Sequence, residues 1–240
     1  MYEEYEEKIR KFKDIYKGRR CFVMGTGPSL NKINKECLKY LENEIIIGVT
    51  DGYRIRERSN INFKFFATSN GPIWAEHYSD MLNLDTNLFL EGAPAQSYIA
   101  NKEKFDKIKK CEIFLLKDAG RIREQNFIWN GQDLSKGCYS GIQVITQMAL
   151  PIAYYIGCEK TYIIGIDFDR DTTGYHFFKK DGKAEPNAPM RSNTYWATMA
   201  KEYDSFRVAF EVEGRKIYNA TYGGKLEAFE RVNLEDLFHE

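Results

Sequence analysis

Cys21-Phe22-Val23-Met24-Gly25-Thr26-Gly27-Pro28-Ser29-Leu30 is the stretch that decides the fold. Its four consecutive apolar residues, closed by a glycine, read as a buried strand that runs into a loop. Residues 31–41 then read as a helix, so strand, glycine-bearing turn and helix follow one another. In that arrangement backbone N–H groups and the helix dipole can gather an anion. The segment is not the dinucleotide fingerprint, because Leu30 stands where G-x-G-x-x-G needs its third glycine. Nor is it a Walker A loop, since no Lys-Ser/Thr pair follows. Gly25 and Gly27, with Thr26 and Ser29 beside them, either cradle a ligand or merely permit a tight turn.

Outward from this stretch the alternation continues. Residues 44–49, with Ile45-Ile46-Ile47 at their centre, read as a second strand, and 63–68, 87–90 and 112–116 as further ones. The polar stretch that runs on to Lys136 reads as a surface excursion. Residues 139–156 give the strongest helix, apolar all round and therefore buried against the sheet. Strand 161–166 follows the turn Gly157-Cys158; a helix at 193–212, a last strand at 216–219 and a closing segment at 234–238 complete the chain. Upstream, Tyr5, Ile9, Phe12, Ile15 and Tyr16 recur at helical spacing. Strands alternating with helices predict an α/β, Rossmann-like fold: a mostly parallel sheet with helices on both faces. We expect one domain over residues 1–240, with an N-terminal helix (1–18) and a lid-like loop (167–192) whose length exceeds a simple connection. Ligands bind such sheets outside the carboxyl ends of the strands.

Composition narrows the function classes. The 240 residues are 43% hydrophobic and 29% charged, enough for a sizeable core and too polar for a membrane protein. Lys plus Arg equals Asp plus Glu at 35 each, so no global field draws the chain to nucleic acid, and an anionic ligand must be held by local geometry. Five scattered cysteines form no C-x-x-C pair, which disfavours a disulfide framework and a zinc ribbon. They read as reduced thiols of a cytoplasmic protein, free or peripheral at the inner membrane face. The first ten residues lack the pattern of a secretory signal, and no stretch approaches membrane-spanning length.

Candidate site residues gather where strands end. Thr50 and Asp51 close the second strand, and Ser69 and Asn70 follow the third. Asp51 either holds a ribose hydroxyl, as the acidic residue of dinucleotide folds does, or caps a helix. Ser140-Gly141 is expected to begin the long helix, with the serine hydroxyl aimed into the same crevice or acting only as a cap. Asp167 and Asp169 leave the strand 161–166, with Tyr175 and His176 a few residues on. The two carboxylates either orient a hydroxyl or a metal, or only turn the loop. His176 is the one imidazole placed near this edge, a candidate general base or else a packing residue.

Taken together, the segment from Gly25 to Leu30, Ser140-Gly141, and Gly157-Cys158-Glu159-Lys160-Thr161-Tyr162-Ile163-Ile164-Gly165-Ile166-Asp167-Phe168 resemble bacterial sialyltransferases of glycosyltransferase family 42. They also resemble domain-of-unknown-function family 115, which includes flagellin-modifying transferases and an archaeal pterin pyrophosphokinase. Tyr218-Asn219-Ala220-Thr221 with Gly223-Gly224 looks more like the latter. The resemblance implies that Gly25, Thr26, Gly27, Ser140 and Gly141 hold the cytidine nucleotide of a CMP-sugar, with Thr50 and Ser69 or Asn70 close by. It implies that Tyr175 binds the leaving phosphate. The sialyltransferases carry their catalytic histidine later in the lid, and this chain has no histidine between Phe177 and Phe238. The expected activity is sugar transfer from a CMP-activated donor to a glycan hydroxyl, with His176, Asp167 and Tyr175 as catalytic residues and no metal or other cofactor. A Mg²⁺-dependent pterin pyrophosphokinase with Asp51 and Asp167 on the metal, or a nucleotide-binding module without catalysis, are the alternatives. Monomer and homo-oligomer both remain open.

Overall fold

The computed structural model describes residues 2–121, 129, 131–141, 143–169, 176–178 and 192–238, leaving aside the side chains at 121 and 140. In chain order its strands are β1 (Arg20–Met24), β2 (Ile46–Val49), β3 (Phe63–Thr68), β4 (Asn87–Leu90), β5 (Glu112–Leu115), β6 (Asp118–Arg121), β7 (Cys138–Ser140), β8 (Lys160–Ile164), β9 (Lys216–Asn219) and β10 (Glu230–Arg231). Eight of them form one sheet in the order β10-β9-β8-β1-β2-β3-β4-β5, and β6 pairs with β7 apart from it. Every neighbouring pair of the large sheet is parallel. This is the Rossmann-like architecture that the sequence predicts.

Cys21, Phe22, Val23 and Met24 are wholly buried because β1 lies mid-sheet with both faces covered, and its partners across Val23 are Ile47 and Ile163. Each such large apolar side chain stabilises the fold by roughly 1.5–3 kcal/mol relative to exposure. From β1 the chain steps outward through β2 to β5 on one side and through β8 to β10 on the other. The winding therefore reverses between β1 and β8, and that boundary is where a ligand crevice opens in such sheets.

Three expectations are corrected. The first helix, α1 (Tyr2–Arg10), stops well before Tyr16. Asp14 adopts a left-handed φ of 57° and donates its N–H to Tyr155 O, and Tyr16 donates to Ile156 O, so this stretch caps another helix and leaves Ile15 exposed. The excursion before Lys136 is not all surface: Trp129 is buried, stacked on Phe206 at 4.4 Å and edge-on to Tyr154 at 4.7 Å. Residues 139–156 are not one α-helix either. Ser140 closes β7, Ile145–Ala149 form a π-helical turn, and only Leu150–Tyr155 are α-helical. Pro151 offers no N–H to the Gln147 carbonyl and its ring crowds that group, which favours widening of the preceding turn.

The remaining helices are α2 (Lys35–Leu41), α3 (Gly71–Leu82), α4 (Gly92–Ala100), α5 (Lys102–Asp106), α6 (Leu150–Tyr155) and α7 (Asn193–Val212). Ser192 caps α7 by accepting the Tyr195 N–H, and the helix buries Trp196, Met199, Tyr203, Phe206 and Phe210 at spacings of three and four. No described helix is long and apolar enough to cross a membrane. The expected lid, 167–192, is described only at 167–169, 176–178 and 192.

Candidate functional site

At the reversal point a crevice of about 480 Å³ opens over the carboxyl ends of the strands. That is the size range of small-ligand sites. Its floor is the β1 loop, and here sequence and geometry part company over what the glycines do. Gly25 N–H donates to Ile164 O at 2.9 Å and Gly27 N–H to Gly165 O at 2.8 Å, so both amides are engaged by the end of β8 and the residue after it. A Cβ on Gly25 would fall 2.4 Å from Gly165 O, and one on Gly27 would fall 1.9 Å from Asp167 Oδ2. The glycines let the two segments touch, and the side chains around them form the crevice wall.

Asp167 lines the crevice and is held from below. It accepts the Ser29 N–H at 3.2 Å and the Ser29 hydroxyl at 2.7 Å. Burial nonetheless pushes its carboxyl above the usual carboxylate range, outweighing the bonds from Ser29. From the other side, Lys225 N–H donates to Asp167 O, and Gly224, at φ 76°, lies so close that a Cβ would approach that oxygen to 2.5 Å. Lys225 also pairs with Asp169 at 2.8 Å. Gly224 and Lys225 thus pack against the segment that carries the two aspartates.

His176 closes the opposite rim. Its Nδ1 is 2.9 Å from Thr26 Oγ1, and its ring stacks on Phe178 with centroids 5.1 Å apart. Phe177 N–H donates to Thr26 O, and Asn31 Nδ2 donates to Phe177 O, so residues 176–178 are tied to the β1 loop. Two non-glycine residues in left-handed backbone, Thr50 at φ 47° and Phe168 at φ 50°, also line the crevice. For a β-branched residue and an aromatic one that conformation is strained, and such strain concentrates at ligand sites. Phe168 is braced edge-on by Trp196 at 5.0 Å.

Of the sequence-predicted site residues, Gly25, Thr26, Gly27, Thr50, Ser69, Asn70, Gly141, Asp167 and His176 line this one crevice. Ser29 is buried beneath it and grips Asp167, and Asp51 is buried off its surface in the 3-10 turn Thr50–Glu57. Asn70 also caps α3 by accepting the Ile73 N–H at 3.0 Å. The Ser140 backbone ends β7 and does not begin a helix, because helical backbone starts only at Val144; its side chain and Tyr175 lie outside the described residues.

Sequence reasoning missed Gln143, Gln147, Trp196 and Met199 on the crevice wall. Gln147 had a readable signal, a polar residue inside an otherwise apolar run. It accepts the Ser69 hydroxyl at 2.7 Å and donates from Nε2 to buried Glu91 at 2.7 Å. Burial pushes the Glu91 carboxyl up. Among the described residues no group of three or more His, Cys, Asp or Glu converges to hold a metal ion.

Fold and crevice together define a Rossmann-like α/β protein with a polar crevice at its switch point. The chain belongs to the MptE-like family, described as 6-hydroxymethylpterin diphosphokinase MptE-like, whose model matches residues 1–173. Among solved structures it is similar to the MAf glycosyltransferase from Magnetospirillum magneticum AMB-1, with 14% identity and a TM-score of 0.56, over 98% of this chain and 38% of that one. That likeness is one of fold, and the chain spans well under half the length of that neighbour. No curated protein matches it in sequence.

Proposed function

We propose that this protein is a glycosyltransferase that moves a sugar from a CMP-activated donor to a hydroxyl of a glycan acceptor. The observation that carries the reading is the lining of the crevice. Hydroxyl and amide side chains of Thr26, Thr50, Ser69 and Asn70 line it together with His176, and the described lining residues include two aspartates and no lysine or arginine. Such a surface suits a donor with a single phosphodiester charge better than a free triphosphate. The glycosyltransferase named above supports the kind of chemistry through its shared fold.

In this reading Thr26 and Phe178 fix the plane of His176, whose imidazole takes the proton of the acceptor hydroxyl. The acceptor oxygen attacks the anomeric carbon as the bond from that carbon to the phosphate oxygen breaks, and CMP leaves with the electron pair. With the Gly25 and Gly27 amides already bonded, the threonine hydroxyls and Tyr175 are the groups proposed to meet the leaving phosphate. Five buried free thiols suit a cytoplasmic location.

The family description favours a second reading, diphosphoryl transfer from a nucleoside triphosphate to a hydroxymethyl group. Mg²⁺ in such sites takes one or two carboxylates together with substrate phosphates, and it would neutralise their charge. Asp167 and Asp169 on the crevice wall fit that role; Asp51, buried off the crevice, does not.

Thermal unfolding with CMP, CTP and ATP, each with EDTA and with Mg²⁺, separates the readings. CMP at about one hundred times its dissociation constant should add about 2.7 kcal/mol, unaffected by EDTA. Stabilisation by ATP alone, and only with Mg²⁺, would overturn the glycosyltransferase reading in favour of the second.

A further inference from the structure

We infer that the buried chain Ser69–Gln147–Glu91 fixes Ser69 as a hydrogen-bond acceptor toward the crevice and thereby selects an amino group on the bound base. On the CMP reading, which this inference rests on and deepens, that group is the 4-amino group of cytosine. Ser69 follows β3 and lines the crevice, Gln147 sits in the π-helical turn, and Glu91 follows β4. Gln147 and Glu91 are both buried, and the two bonds between the three side chains are each 2.7 Å.

Their polarity follows from the charge on Glu91. Once ionised, which its burial shifts to higher pH, the carboxylate only accepts, so Gln147 turns its NH₂ to Glu91 and its carbonyl to Ser69. A serine hydroxyl has one proton, and here it goes to that carbonyl. Only lone pairs of Ser69 remain for the crevice. A ligand amino group completes the row of donors and acceptors. An oxo group in its place meets lone pair with lone pair, or draws the hydroxyl away and leaves the buried Gln147 carbonyl unsatisfied. Either way the mismatch weakens binding roughly 10- to 100-fold. Glu91, which does not line the crevice, is a positioning residue in this scheme and acts through Gln147, which shares the crevice wall with Ser69. Adjacent residues of the π turn serve different walls: Thr146 donates to Glu202 on α7 while Gln147 reaches the residues that follow β3 and β4.

The experiment is calorimetric titration of the full chain at pH 8 with the amino/oxo pairs CMP/UMP and AMP/IMP, for wild type, Ser69→Ala, Ser69→Thr and Glu91→Gln. The wild type should prefer CMP over UMP by roughly 10-fold or more. Ser69→Ala should bring that ratio close to one, and Ser69→Thr, which keeps the hydroxyl, should preserve it. Glu91→Gln lets the two amides pair in either sense and should relax the ratio. If that variant does not fold, the Ser69 pair decides. Equal binding of CMP and UMP to the wild type, or an unchanged ratio in Ser69→Ala, overturns the inference while leaving the CMP reading intact. Preference for AMP over IMP without cytidylate binding, lost in Ser69→Ala, overturns the CMP reading and supports the amino-group selection. No binding of any of the four overturns both.

Discussion

Ser29 grips Asp167 with both its backbone N–H and its hydroxyl, so the loop after β1 and the loop after β8 share one carboxylate beneath the crevice. The carboxylate is nevertheless held above its ordinary range by burial.

A pH dependence follows, with a definite sign. Because its folded-state value is raised, Asp167 stays protonated in the native protein over a window in which the unfolded chain has already ionised it. The folded state binds more protons there, so this group's contribution to stability falls as pH rises from about 4, the ordinary value, through the raised one, and is level beyond it. Asp167→Asn removes that titration. Its stability relative to wild type should increase across the window and then plateau in denaturant midpoints measured from acid to neutral pH. A difference independent of pH would show that Asp167 does not titrate as its burial implies.

Gly27→Ala should destabilise the fold by about 1–3 kcal/mol, the usual range for overpacking. Gly27 has φ −67° and ψ 156°, a backbone open to any residue, so the cost is contact and not conformation. The added methyl meets Asp167 Oδ2 at 1.9 Å and Gly165 O at 2.8 Å. Gly27→Ala combined with Asp167→Ala relieves the first clash and should lose less than the sum of the single variants. Strict additivity in chemical denaturation would falsify the steric account.

His176→Ala should leave CMP affinity within a few-fold and lower turnover roughly 10²–10⁴-fold, the contribution of one positioned proton acceptor. Thr26→Val, which removes the partner of Nδ1, should give an intermediate loss, whereas Thr26→Ser should keep activity. Full activity in His176→Ala would move the base role to a carboxylate; an unfolded variant would make the histidine a packing residue.

Where apolar runs are short and bounded, the sequence was a good guide. β3, β4, β9 and α7 start and end where the patterns of Phe63, Asn87, Lys216 and Asn193 place them. β6 and β7 were illegible because Asp-Ala-Gly-Arg and Cys-Tyr-Ser contain neither an apolar run nor an alternation. The π turn was hidden for a different reason: widening a helix changes hydrogen-bond partners and leaves composition untouched. At the crevice, sequence order placed Thr26, Thr50, Ser69 and His176 around one opening because strand ends share an edge in parallel sheets. It could not distinguish Ser29, which turns inward, from Thr26, which turns outward, since that depends on where Asp167 arrives from a distant part of the chain.

The mid-sheet position of β1 also governs how the chain emerges from the ribosome. β1 to β5 lie early and can pair among themselves as they are made, yet the far side of β1 must wait for β8. Until then a nascent chain carries a bare strand flank of wholly apolar residues, Cys21 to Met24, open to pairing with any other extended segment. Synthesis halted between β5 and β8 would yield an aggregation-prone fragment, and the β1 loop would lack the carbonyls of Ile164 and Gly165 that hold it in shape.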